Sequence, residues 1–177
     1  ETDDSFRTRI IERLNNRSFG GNVAQYVEEI EAIDGVGAVQ VYPTWNGGGT
    51  VLCSILGADF LPASAELVQA VQNQIDPPPN QGQGIGLAPI GAKVTITTPS
   101  ALPINVSATL TMTSGFELES VQKAVEDAVS DYLLQVRKAW DNNVSNGTVA
   151  YSATVYLARI MAALIMLEGV VNVSGLT

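Results

Sequence analysis

Ile30-Glu31-Ala32-Ile33-Asp34-Gly35-Val36-Gly37-Ala38-Val39 and Leu164-Ile165-Met166-Leu167-Glu168-Gly169-Val170-Val171-Asn172-Val173 read alike, each passing from an apolar helix face through a glycine into a valine-rich strand. Two, five, nine and twelve residues before Gly35 stand Ile33, Ile30, Tyr26 and Val23; the same steps back from Gly169 reach Leu167, Leu164, Ile160 and Leu157. These spacings stack side chains on one face of a helix. Glycine fits a helix end because its C′ position takes a left-handed conformation that a Cβ penalises. Gly35-Val36 and Gly169-Val170 are therefore read as one helix-to-strand corner made twice. The expected fold is α+β: two small related modules, each with helices packed on a short, mainly antiparallel sheet.

Working outward, Asp4 or Ser5 can cap a first helix with the stripe Phe6, Ile10, Ile11 and Leu14. The Val23–Ile33 helix and the strand Val36–Tyr42 follow. Asn46-Gly47-Gly48-Gly49 then turns the chain into Thr50–Leu56, which predicts a hairpin. Pro62 and Ser64 open a helix bearing Leu67, Val68, Val71 and Ile75. Pro77-Pro78-Pro79 and the glycines 82, 84, 86 and 91 forbid regular structure. The expected division is a first domain over 1–76 (α-α-β-β-α), a linker over 77–92 and a second domain over 93–177 (β-β-α-α-β). In the second, Val94–Thr97 opens the unit. The strict alternation from Ile104 to Thr113 predicts a strand with one face buried. Leu118, Val121, Val125, Val129, Tyr132 and Val136 form a helical stripe. Asp141–Thr148 reads as a polar loop, and the last strand is expected to be cut short by the end of the chain.

Composition narrows the function. Of 177 residues, 46% are apolar and only 15% charged, so disorder is not expected. A net charge of −9 with no histidine repels phosphate and argues against nucleic acid as a partner. Cys53 stands alone in an apolar run and reads as a buried structural thiol, with no histidine to activate it. Glu1 begins a polar, charged stretch, so no signal peptide is expected. Ala153–Leu167 is the most membrane-like segment, but it is shorter than the ~20 residues that span a bilayer and carries Arg159 in its middle. It is expected to be a helix buried in protein, with no membrane insertion.

Sites of chemistry fail on their spacing. Gly82-x-Gly84-x-Gly86 lacks the third glycine of a dinucleotide loop, where Leu87 stands, and has no strand before it. Asp141-Asn142-Asn143 starts like a calcium loop but has Asn146 where glycine belongs and Ser152 where a bidentate glutamate belongs. Glu28, Glu29 and Glu31, like Glu126, Asp127 and Asp131, read as solvated helix faces rather than as a glycosidase pair. Lys93, Lys123 and Lys138 have no serine in a recognisable motif. No catalytic, cofactor-binding or metal-binding residue is assigned, and neither an enzyme nor a small-molecule substrate is expected. Trp45, beside the glycine-rich hairpin tip, is the candidate interface anchor, whereas Trp140 ends a long helix and is expected to pack.

An ordered set of short matches resembles the baseplate J-like family of contractile phage tails and related prophage particles. It runs Glu1-Thr2-Asp3-Asp4-Ser5-Phe6-Arg7-Thr8-Arg9-Ile10, Ile33-Asp34-Gly35-Val36, Val39-Gln40-Val41-Tyr42-Pro43, Gly49-Thr50-Val51, Leu67-Val68-Gln69-Ala70-Val71-Gln72, Gly86–Val94, Ile104–Thr109 and Leu164–Val173. The resemblance implies a non-enzymatic subunit of a tail baseplate wedge, assembled in the bacterial host cytoplasm. Its partners would be other wedge subunits and further copies of itself, in the ring that couples host attachment to sheath contraction. Two alternatives are a wedge subunit of a tail-derived bacteriocin or injection device, and a surface carbohydrate-binding module. The latter would need exposed aromatics on a strand face, where Asn105, Ser107, Thr109, Thr111 and Thr113 stand instead.

Overall fold

The repeated corner forms twice with the same geometry. In the computed structural model, which describes residues 2–15, 17–140, 144–145, 148–149 and 153–177, helix α2 (Val23–Glu31) ends on Ala32 and helix α5 (Leu157–Ile165) ends on Met166. Ile33 N–H then donates to the Ile30 carbonyl at 3.1 Å, and Leu167 N–H to Leu164 at 3.2 Å. One turn further on, Val36 N–H donates to Ile33 at 3.1 Å and Val170 N–H to Leu167 at 3.2 Å. Gly35 and Gly169 sit third in these turns with φ of 92° and 85°. The glycines are thus not helix C′ residues, as the sequence had led us to expect. They occupy the position of a four-residue turn that needs positive φ, as in type II. Of each four-residue stripe, three members turn inward; Val23 and Leu157, in the first helical turn, stay exposed.

The chain forms two units, Glu1–Ser100 and Ala101–Thr177. The first contains α1 (Asp3–Asn15), α2, β1 (Val36–Pro43), β2 (Thr50–Gly57), α3 (Ala65–Ile75) and β3 (Lys93–Thr97). Asn22 and Ser64 cap α2 and α3, their side-chain oxygens accepting from Gln25 N–H at 2.9 Å and Leu67 N–H at 3.2 Å. The sheet order is β1-β2-β3, with β1 antiparallel and β3 parallel to β2. Val39, Val41, Cys53, Ile55, Val94 and Ile96 face Tyr26, Ile30, Val71 and Ile75 of the helices, all buried. Each such aliphatic side chain contributes about 1.5–3 kcal/mol by leaving water.

This topology corrects the expected boundary. Residues 93–97 do not open the second unit; they complete the first sheet, with Val51 opposite Val94 and Cys53 opposite Ile96. The 77–92 segment is therefore the return limb of a β-α-β crossover rather than an interdomain linker. It folds back on the end of α3, where Leu87 and Ala88 N–H groups satisfy the carbonyls of Gln74 and Ile75 at 3.2 and 2.8 Å. Those carbonyls would otherwise be orphaned at the helix terminus. A side chain at Gly86 would collide with the Ile75 carbonyl, so this glycine allows the close approach.

The outer edge of β3 is closed by side chains. Val94 N–H donates to Asp76 Oδ2 at 2.9 Å and Ile96 N–H to Gln72 Oε1 at 2.8 Å. The Val94 carbonyl accepts from Gln72 Nε2 at 3.1 Å and Gln81 Nε2 at 2.8 Å. Asp76, 1% exposed, also accepts from Gly82 N–H at 2.9 Å.

The second unit contains β4 (Thr109–Met112), α4 (Leu118–Lys138), β5 (Val144–Ser145), β6 (Thr148–Val149), α5 and β7 (Val170–Ser174). β4 pairs antiparallel with β7, and β5 with β6. Tyr132, Ile160, Leu164 and Val173 are buried together, with Leu110, Val125, Val129 and Leu167 packed against them. The strand expected over Ile104–Thr113 keeps a ladder only at Thr109–Met112, because β7 offers five residues to pair with. Ser107 and Thr177 exchange backbone bonds of 3.1 and 2.9 Å beyond it. The expected loop holds β5 and β6, and the rejected calcium-like positions Asp141, Asn142, Asn143, Asn146 and Ser152 lie outside the described residues. The helix expected from Ala153 starts at Leu157; Tyr156 N–H donates instead to the Tyr132 hydroxyl at 2.8 Å.

Candidate interaction surfaces

Among the described residues, no three Cys, Asp or Glu side chains converge on a metal site, and no helix is long and apolar enough to cross a membrane. Cys53 is fully buried, and burial pushes its thiol up to about 12. Tyr26 is likewise pushed up to about 12, first by burial and then by Cys53 and Asp76 nearby. Its hydroxyl is buried without a hydrogen-bond partner. These groups stay protonated at neutral pH and offer no nucleophile. Glu126, Asp127 and Asp131 lie exposed along α4, where Lys123 pairs with Asp127 at 3.1 Å in an i,i+4 contact. Such an exposed pair contributes little. Gly82 and Gly84 lie in the limb packed on α3, where the Gly82 carbonyl accepts from Gly91 N–H at 2.8 Å.

What the surface does offer is apolar area. Trp45 is 49% exposed at the β1–β2 tip, where Thr44 has a positive φ and Thr44 N–H donates to Thr50 at 2.8 Å. Trp140 is half-buried just beyond α4. The stripe of α1 is also outward: Phe6, Ile10, Ile11 and Leu14 are all exposed.

The clearest feature is the contrast between the two corner helices. Ile160 and Leu164 of α5 are buried at the positions of Tyr26 and Ile30 in α2. On the outer side, α2 carries Glu28, Glu29 and Glu31, while the matching positions of α5 are Ala162, Ala163 and Ile165. Leu157, Met161, Ile165 and Met166 are exposed, and Arg159 is the one charged residue in α5. The helix expected to be buried in protein buries Ile160 and Leu164 and leaves Leu157, Met161 and Ile165 exposed. An open groove of about 350 Å³ runs beside it, lined by Ala162, Ala163 and Arg159 of α5 and by Ala128, Asp131 and Tyr132 of α4. The sequence signal was present in the near-unbroken apolar run, but that composition cannot distinguish a buried helix from one awaiting a partner.

Comparison with known proteins places these modules. Residues 18–98 match the baseplate J-like central domain and residues 104–177 the baseplate J-like protein C-terminal domain. The chain belongs to the baseplate J-like family. The matched segments fall on either side of the structural division at Ser100, and β3 lies within the central domain. Among curated relatives, the phage-like element PBSX protein XkdT of Bacillus subtilis is 36% identical over 144 residues, and the Bacillus subtilis protein YqbT is 38% identical over the same length. Each match spans 81% of this chain and 40% of the relative. Baseplate protein gp47 of Escherichia phage Mu is 33% identical over 103 residues, 55% of this chain and 28% of its own length. Baseplate J-like proteins are structural, which fits the exposed apolar area of this chain.

Proposed function

We propose that this chain is a structural wedge component of a contractile phage or prophage tail baseplate. It joins its neighbours by protein–protein contacts into the ring that links host attachment to sheath contraction. The apolar outer side of α5 carries this reading, because a helix that exchanges three glutamates for alanine and isoleucine is built to be covered. Its partners are other wedge subunits and further copies of itself; it needs no nucleic acid, small molecule or membrane insertion, and it assembles in the bacterial host cytoplasm. The PBSX relative belongs to a phage-like element, which supports a wedge role in a tail-derived injection device as the second reading. Capsid and terminase genes beside this one would favour the phage.

Deleting the gene, inducing particles and imaging the lysate by electron microscopy tests the role. Loose tail tubes, or heads without finished contractile tails, are the expected result; normal contracting particles would refute it. Within this reading Trp45 is an anchor on the adjacent wedge subunit. Trp45→Ala should weaken that binding by at least about 1 kcal/mol, measured by calorimetry, and a smaller loss removes Trp45 from the interface.

A further inference from the structure

The first unit presents different chemistry at its two ends. One end gathers the turn 17–22 before α2, the β1–β2 tip and the limb that returns from α3. A side chain at Gly21 would meet Pro89 and one at Gly84 would meet Ile90. Lys93 N–H donates to the Gly49 carbonyl at 2.8 Å, so the tip lies beside the limb. Phe19 and Ile90 are 83% and 85% exposed here, and Val23, Trp45, Ile85 and Leu87 are exposed with them. Exposed apolar groups gathered in this way mark a contact surface. The charged residues of this end are Arg17 and Lys93, both exposed; segments 17–23, 43–50 and 77–93 contain no carboxylate.

At the other end β1 starts, β2 finishes and α3 begins. Val36 stands opposite Gly57, and a Cβ at Gly35 would rest 3.4 Å from Leu67. These contacts bring Asp34, Asp59 and Glu66 to one end, all three exposed, together with the exposed Leu61. Residues 18–92 contain no lysine or arginine. Charge is therefore separated along the strands, with cations at the apolar end and carboxylates at the opposite one. Two chains of net charge −9 repel each other over most of their surfaces. The approach that escapes this repulsion sets the carboxylate-free end of one copy against the acidic end of another.

We propose that the first units of successive copies of this chain dock head to tail, the apolar end of one on the acidic end of the next. Phe19, Trp45 and Ile90 supply the buried centre against Leu61, while Arg17 and Lys93 face Asp34, Asp59 and Glu66. A two-fold pair of apolar ends would instead set Arg17 and Lys93 against their own copies and leave the carboxylates unmatched. It would also close at two copies, whereas a head-to-tail contact repeats around a ring when its rotation closes.

The inference rests on the baseplate reading and identifies the neighbour of Trp45 as a further copy; the experiment separates the two. In isolated tails, a photo-crosslinker at Ile90 should join two copies of this chain, with the new bond falling within residues 57–67 of the second copy. Lys93→Glu, checked for an unchanged melting temperature, should cut incorporation into tails at least about tenfold, because it sets a carboxylate against carboxylates. Adding Asp34→Lys to that variant should recover incorporation, since every copy then carries the exchanged pair. In tails that contain the chain, this inference alone is overturned by no crosslink, by a crosslink to another protein or by one between two apolar ends. Normal incorporation of Lys93→Glu, or no recovery in the double variant, overturns it equally. Absence of the unaltered chain from tails overturns the baseplate reading and this inference with it.

Discussion

Two glycines at matched positions face different neighbours. A Cβ at Gly35 would rest 3.4 Å from Leu67, an ordinary contact, whereas one at Gly169 would run into the Phe116 ring. Both have positive φ. Gly35→Ala should therefore cost about 1–2 kcal/mol of backbone strain, while Gly169→Ala adds overpacking of about 1–3 kcal/mol. Urea unfolding of the two variants checks this, and equal losses would contradict the Phe116 contact. Cys53 and Tyr26 give a pH dependence of definite sign. Folding raises their pKa from 9.0 and 10.0 to about 12, so the folded state holds both protons more tightly than the unfolded chain. Their contribution is complete below about pH 9 and is lost as pH rises toward 12, by up to about 1.4 kcal/mol per pH unit for each group. Unfolding free energies from pH 8 upward should fall above pH 9, and Cys53→Ala should flatten the decline; a stability unchanged up to pH 11 would exclude this coupling.

At the scale of the element, β3 depends on one carboxylate. Asp76 accepts from both Val94 and Gly82, and Asp76→Asn replaces one acceptor oxygen with a donor that faces an N–H. A buried group left unsatisfied costs about 1–3 kcal/mol. The expected result is that loss in unfolding free energy, with faster amide exchange at Val94 and Ile96; unaltered exchange would mean that Asp76 does not guard the edge. This element also marks where sequence reading stops. The corner was legible because 3.6-residue periodicity, a glycine and a β-rich run are all local signals, and Tyr26, Ile30, Ile160 and Leu164 are buried as the spacing required. The role of the glycine was misassigned because a helix cap and a turn ask for the same residue. From the sequence β3 reads as the start of the second unit, because a parallel strand looks like any other β run; only its partner β2, about forty residues upstream, decides where it belongs. The strand at 104–113 was drawn too long because alternation records a capacity for pairing, while the ladder length is fixed by β7. The apolar run of α5 is visible in the sequence, but composition alone does not say which of its side chains the fold leaves exposed.

The two units of the molecule differ in how much they bury. Among the described residues, twelve form the core cluster of the first unit and four that of the second. Opening free energy follows buried apolar contact, so the second unit should open first. Hydrogen exchange of the free chain should be slowest in β1 and β2 and faster in α5 and β7, with urea giving two steps; slower exchange in β7 than in β1 would reverse this. The units also differ in chain order. β1 meets β2 across a tip in which Pro43 stands opposite Val51, but β4 must wait for β7, with Thr109 opposite Ser174. Closing a long loop costs more entropy, and non-local pairing slows folding. On a ribosome, the first sheet can begin to zip as soon as its hairpin has emerged, while β4 waits for its partner until residues 170–174 have been made. For that interval, the uncharged stretch 104–113 is the part of the nascent chain most in need of a chaperone.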